Sequence, residues 1–201
     1  MPDQLIFLPG ASGNTRFWQP VADLLAVPAA KIHLGYPGFG STPPDSQVRG
    51  FDDLVARVVA RLDRPTSLIA QSMGGVLAVR AALEKPHLVT HLVLTATSGG
   101  IDCARLGGCD WRSDFTAANP TFPTWFSSYQ DDLTSAFRTL AIPTLLLWGD
   151  ADPISPVSVG RHLAELLPHA ELHIFSGGDH DMAHAMANEV APCIAAHLVR
   201  T

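Results

Sequence analysis

Six short apolar runs, most of them closed by turn residues, constrain the fold of this chain more than any other feature. They are Leu5–Leu8, Lys31–Leu34, Ser67–Ala70, Leu92–Thr95, Thr144–Trp148 and Glu171–Phe175. Runs this short that end in Gly, Pro, Ser or Asp read as buried strands. Helical patterns lie between them. Phe51, Leu54, Val55, Val58, Val59 and Leu62 follow the spacing of one apolar helix stripe. Residues 73–84 are apolar nearly all round, which suits a helix packed on a sheet. Ser155-Pro156 predicts an N-cap followed by proline at the first helical position, with Leu163, Leu166 and Leu167 on the buried face. A last helix is expected over 188–199, with Pro192 in its first turn. Strand–helix alternation implies parallel strands joined by right-handed crossovers, and a sheet covered on both faces. Sites in such folds lie at the carboxyl ends of the strands.

The chain has 201 residues, a length that fits a single domain spanning 1–201. Thirteen Lys and Arg stand against nineteen Asp and Glu, a net charge of −6. The basic residues are scattered singly, so no nucleic-acid partner is expected. No apolar run approaches the roughly 18 residues of a membrane span, and "MPDQLIFLPG" lacks a basic leader. A soluble, cytoplasmic protein is expected. Cys103, Cys109 and Cys193 form too sparse and odd a set for a secreted disulfide framework. Cys103 and Cys109 read as ordinary thiols near a loop rather than as a pair or a metal site.

One segment breaks the alternation. Residues 98–140 contain no convincing strand but hold Trp111, Phe115, Phe122, Trp125, Phe126, Tyr129 and Phe137, seven of the fifteen aromatics. A segment this long and aromatic reads as a small lid, with Trp111, Phe115, Phe122, Trp125 and Phe126 as candidate substrate contacts. The competing account is a helical excursion that completes the core.

Ser72, in "LIAQSMGG", falls at a sharp strand-to-helix turn flanked by the small residues Ala70, Gly74 and Gly75. Such a turn pushes the serine side chain outward, and the helix N-terminus behind it favours developing negative charge. Ser72 is therefore a candidate nucleophile, with the Met73 amide as an oxyanion donor. His180, in "FSGGDHDMAH", is the candidate base because its glycine-rich loop follows a strand. His184 is the rival. The other seven histidines sit in or beside structural segments. For the orienting acid, "LLLWGDADPISP" offers Asp150 and Asp152. Asp152 is favoured, since Asp150 directly follows Gly149 and suits a turn cap. Asp102 is a weaker alternative. The loop "FLPGASGN" offers the Ala11 amide as the second oxyanion donor, with Gly10 permitting close approach. The chain order Ser72, Asp152, His180 is that of nucleophile-elbow hydrolases.

At these residues the chain resembles the α/β-hydrolase fold family, of the compact serine esterase or carboxylesterase type. "LIFLPGASGNTRFW" resembles the family's first oxyanion segment and "GYPGFGST" its Pro-Gly-x-Gly-x-Ser turn. "AQSMGG" resembles the elbow, "IPTLLLWGDADPISP" the acid strand and "GGDHDMAH" the histidine loop. The usual His-Gly after the first strand is Pro9-Gly10 here, and the elbow's first glycine is Ala70. The resemblance implies a parallel sheet of about six strands that lacks the first two edge strands of the full fold, with helices on both faces and a reduced lid.

It also implies a serine hydrolase that cleaves a carboxylic ester or thioester through an acyl-enzyme on Ser72, with no cofactor and no metal. The substrate would be a small molecule, and a carrier-protein conjugate is the narrower option. The short chain and elbow resemble carboxylesterases that release pimeloyl methyl ester, which would want a basic docking face. Two other classes use the same fold. Menaquinone-type lyases or synthases need cationic side chains in the pocket, for which Arg16, Arg80, Arg105, Arg112 and Arg138 are candidates. Receptors or signalling proteins use the same pocket to hold a ligand. A metal hydrolase is disfavoured, because His180 and His184 lack the Glu that follows the first His of the zinc-protease motif.

Overall fold

The central sheet runs, in spatial order, Ala30–His33, Gln4–Leu8, Thr66–Gln71, Val89–Thr95, Thr144–Gly149 and Ala170–Phe175, and all its strand pairs are parallel. The computed structural model describes residues 1–200. In chain order the first half is β1 (Gln4–Leu8), α1 (Gln19–Leu24), β2 (Ala30–His33), α2 (Phe51–Val59), β3 (Thr66–Gln71), α3 (Met73–Glu84) and β4 (Val89–Thr95). A 3₁₀ turn at Cys103–Leu106 precedes α4 (Arg112–Ala118), α5 (Thr124–Ser128) and α6 (Thr134–Phe137). The chain then returns to the sheet through β5 (Thr144–Gly149), α7 (Val157–Leu166), β6 (Ala170–Phe175), α8 (Met182–Ala185) and α9 (Ala187–Leu198).

Each expected strand is present, and successive residues of the central strands enter opposite faces. Ile6 and Leu8 join one core with Leu68, Ala70, Leu146 and Trp148, packed under α2, α3 and α7. Leu5, Phe7, Ile69, Leu145 and Leu147 join the other, covered by α1 and α9. Burial on both faces is why these strands read as continuous apolar runs rather than alternating ones. The edge strands differ: β2 and β6 are only partly covered.

Two local expectations need correction. Pro156, not Ser155, is the N-cap of α7, which starts at Val157. Ser155 instead turns inward, its hydroxyl donating to the Thr97 carbonyl at 3.2 Å. Pro192 lies inside α9 beyond the first turn. It faces solvent, where water can serve the carbonyl that its missing N–H leaves free. The buried face of Val190, Ala191, Ile194 and Leu198 holds the helix in spite of the proline. Helix α1 has no clear stripe in the sequence, and it forms over Gln19–Leu24 on the second core.

Residues 98–140 contain helices and turns and no strand. Phe137 and Phe126 are buried in the first core. Phe122, Trp125 and Phe126 meet Phe39 edge-on, with ring centroids 5.4 to 5.8 Å apart. The segment therefore seals part of the core as well as standing over the carboxyl ends of the strands. No helix among the described residues is long and apolar enough to cross a membrane.

Candidate active site

Ser72 links β3 to α3 with φ 53° and ψ −122°, a region that L-residues rarely adopt. Three contacts hold this strained turn. The Ser72 N–H donates to the Thr95 carbonyl at 3.0 Å. The Ser72 carbonyl accepts from the Gly75 N–H at 2.9 Å and from Thr97 Oγ1 at 2.6 Å. Close packing dictates the small neighbours: a Cβ on Gly74 would stand 2.5 Å from the Pro9 carbonyl oxygen. Ala70, two residues earlier on β3, is fully buried in the first core, between Leu8 and Leu94 on the flanking strands.

His180 Nε2 lies 3.0 Å from Ser72 Oγ, and His180 Nδ1 lies 2.8 Å from Asp152 Oδ2. The Asp152 carboxylate has no exposed surface, and its Oδ1 accepts the N–H groups of Ile154 and Ser155 at 2.8 and 3.1 Å. A buried carboxylate needs such partners, and these leave its second oxygen for the imidazole. The rivals are engaged elsewhere. Asp150 accepts the Gly177 N–H at 2.6 Å, the turn-capping role. Asp102 caps the 3₁₀ turn and pairs with Arg105. His184 Nδ1 bonds the Phe17 carbonyl at 2.7 Å, and its ring leans on Phe17.

Ala11 and Met73 line the same cleft, and their N–H groups have no backbone acceptor among the described residues. The end of β1 and the start of the loop that leads to Ala11 are pinned by two buried side chains. Trp18 Nε1 donates to the Leu8 carbonyl at 3.0 Å, and Tyr36 Oη donates to the Pro9 carbonyl at 2.9 Å. Neither residue stands out in the sequence, nor do Thr95 and Thr97, because each acts through the backbone of a distant loop.

The cleft encloses about 1490 Å³. Trp111, Phe115 and Phe126 line it, together with Phe51, Met73 and Val76. Phe122 and Trp125 are not among its lining residues. They stand behind that wall, Trp125 packed on Phe39 and Phe122 on Phe39 and Phe115. Among the described residues no three His, Cys, Asp or Glu side chains converge to hold a metal ion. The three cysteines are unpaired, and burial pushes the Cys103 thiol up to about 11.

A model of the alpha/beta hydrolase family matches residues 5–127, and a second, for the alpha/beta hydrolase fold, matches residues 115–184. The chain belongs to the alpha/beta hydrolase family. It is similar to a pimeloyl-[acyl-carrier protein] methyl ester esterase of Legionella pneumophila, 23% identical over 88% of this chain and 87% of that one. It is also similar to a 2-hydroxy-6-oxononadienedioate/2-hydroxy-6-oxononatrienedioate hydrolase of Cupriavidus pinatubonensis, 26% identical over 86% and 77% of the two chains. Among solved structures, a thermophilic esterase from Thermogutta terrifontis superposes with a TM-score of 0.79 at 17% identity, covering 97% of this chain and 89% of that one. A lipase-esterase related protein from Clostridium acetobutylicum superposes with a TM-score of 0.77 at 18% identity, covering 96% and 93%.

Proposed function

We propose that this hydrolase cleaves a carboxylic ester through an acyl-enzyme formed on Ser72. The unbroken chain of hydrogen bonds from Ser72 through His180 to Asp152 carries this reading. Ser72 Oγ attacks the acyl carbon while His180 Nε2 takes its proton. Asp152 holds the imidazole and stabilises the imidazolium that forms. The Ala11 and Met73 N–H groups receive the oxyanion. His180 then returns the proton to the departing alcohol. Water, deprotonated by the same nitrogen, attacks the acyl carbon, and the acid leaves with Ser72 restored. A thioester would follow the same steps with a thiol departing. None of these steps requires a metal or cofactor.

The substrate that suits the cleft is a small apolar ester, its acyl or aryl group against Trp111, Phe115 and Phe126. In this reading residues 98–140 act as a lid on a single domain. The esterase relatives and esterase-like solved structures support the reaction class. A carrier-protein conjugate is the narrower form of the proposal, and the arginines give it little support. Arg105 and Arg112 line the cleft, each beside an aspartate. The same arginines bear on a lyase of this fold: Arg16, Arg80 and Arg138 do not line the cleft. Three unpaired cysteines suit a reducing compartment, and we place the protein in the cytoplasm.

The deciding experiment pairs turnover of short-chain aryl esters with fluorophosphonate labelling. The wild-type chain turns over and is labelled, and Ser72→Ala does neither. Turnover persisting in folded Ser72→Ala would remove the mechanism. Labelling without turnover on any ester or thioester would favour a ligand receptor.

A further inference from the structure

Gln71 is the last residue of β3, immediately before the nucleophile, and it is buried at 3% exposure. Its Nε2 donates to the backbone carbonyl of His180 at 3.2 Å. No backbone N–H among the described residues donates to that carbonyl. The other end of the same carboxamide abuts the oxyanion loop: a Cβ on Gly10 would stand 2.2 Å from Gln71 Oε1. One buried side chain thus touches both loops that must work with Ser72.

We propose that Gln71 is a positioning residue that fixes the His180 main chain against the nucleophile elbow. The inference rests on the ester-hydrolysis reading above. The physical need is clear from the loop that carries His180. It is glycine-rich and turns through Gly177 at φ 72°. Asp152 holds only the Nδ1 edge of the ring. The loop is pinned before His180, where the Gly177 N–H donates to Asp150 and the Gly178 carbonyl accepts from the Ala151 N–H, but neither bond reaches the His180 peptide itself. The bond from Gln71 supplies that hold. It ties the peptide of the base to the residue adjacent to the nucleophile, on a strand hydrogen-bonded on both sides. Gly10 confines the carboxamide on its opposite side, so the amide cannot swing away without moving the oxyanion loop. The Ser72–His180 distance is then set by one strand end rather than by two independent loops, and catalysis is steeply sensitive to such distances.

Two variants test the role, each measured for aryl-ester kcat and KM, fluorophosphonate labelling rate and Tm. Gln71→Met keeps the volume and loses the donor. Its kcat and labelling rate are expected to fall about tenfold or more, with KM within about twofold and Tm little changed. Gln71→Glu keeps the shape but donates only when protonated. Burial raises the pH at which that carboxyl ionises. The ratio of Gln71→Glu to wild-type kcat is therefore expected to climb as pH falls, while the Gln71→Met ratio stays flat. Wild-type kcat and labelling in Gln71→Met would overturn the proposal. So would a Gln71→Met loss that tracks a fall in Tm together with a flat Gln71→Glu ratio, since both then report packing alone. A wild-type chain inert to esters and probe would overturn the hydrolysis reading itself, an outcome distinct from an active wild type alongside an equally active Gln71→Met.

Discussion

Asp152 Oδ2 lies 2.8 Å from His180 Nδ1, while the other oxygen of the same carboxylate accepts two backbone N–H groups. A carboxylate only accepts, so the imidazole presents its proton at Nδ1 and its lone pair at Nε2. Asp152→Asn would offer an amide N–H to Nδ1 and reverse that tautomer, leaving Nε2 protonated beside Ser72. The kcat for aryl esters is expected to fall by about 10³-fold or more with the fold intact by circular dichroism. A loss under tenfold would mean that Asp152 does not orient the base.

The two histidines of the "GGDHDMAH" loop separate by what they touch. His180 faces Ser72, whereas His184 is committed to the Phe17 carbonyl. His180→Ala should lower kcat by several orders of magnitude. His184→Ala should leave kcat within about threefold of wild type and act mainly on Tm, through one lost hydrogen bond worth about 1 kcal/mol. Equal losses of kcat in the two variants would show that the base is wrongly assigned.

The strands and the three residues of the hydrogen-bonded chain were legible in the sequence for a common reason. Each is announced by local chemistry: an apolar run, a serine among small residues, an aspartate before proline, a histidine after paired glycines. The residues that brace the site leave no such mark. Trp18 and Tyr36 act on carbonyls at the end of β1, and Thr97 acts on the Ser72 carbonyl from 25 positions away. Only the fold brings these donors to their acceptors. The aromatic segment was half legible for a related reason. Its composition signals burial, but composition does not tell whether a ring faces the cleft, as Trp111 does, or the core behind it, as Trp125 does.

The cleft mouth carries a charge bias that bears on substrate choice. Asp102, Asp110, Asp114, Asp131, Asp132 and Asp181 line it, against Arg105 and Arg112. Both arginines sit beside one of those aspartates, so the remaining field is negative. A neutral aryl ester should show a higher kcat/KM than an ester of equal length that ends in a carboxylate. These groups are largely exposed, so the gap should narrow between about 0.01 and 0.5 M salt as screening shortens. A preference for the anionic ester, or a gap indifferent to salt, would rule out this source of selectivity.

Far from the cleft, His197 on α9 is buried against His91 on β4, with ring centroids 5.1 Å apart. His197 Nε2 lies 3.1 Å from the Leu92 carbonyl, and His91 Nε2 lies 3.0 Å from the Arg200 carbonyl. Burial, followed by the neighbouring His91, lowers the His197 pKa to about 4, and the carbonyls of Leu92 and Pro143 offset this only in part. Burial likewise lowers that of His91. The unfolded chain binds protons at these histidines near pH 6.5 and the folded chain does not, so stability is full above that pH and declines as pH falls toward about 4. For His197 alone the loss is on the order of 3 kcal/mol by the lower end of that range. Urea unfolding from pH 7.5 down to about 4.5 should show this decline. His197→Gln keeps a donor for the Leu92 carbonyl but cannot take up a proton, and its stability should fall less steeply over the same range. Parallel curves for the two chains would show that protonation of His197 is not what loosens α9 from the sheet.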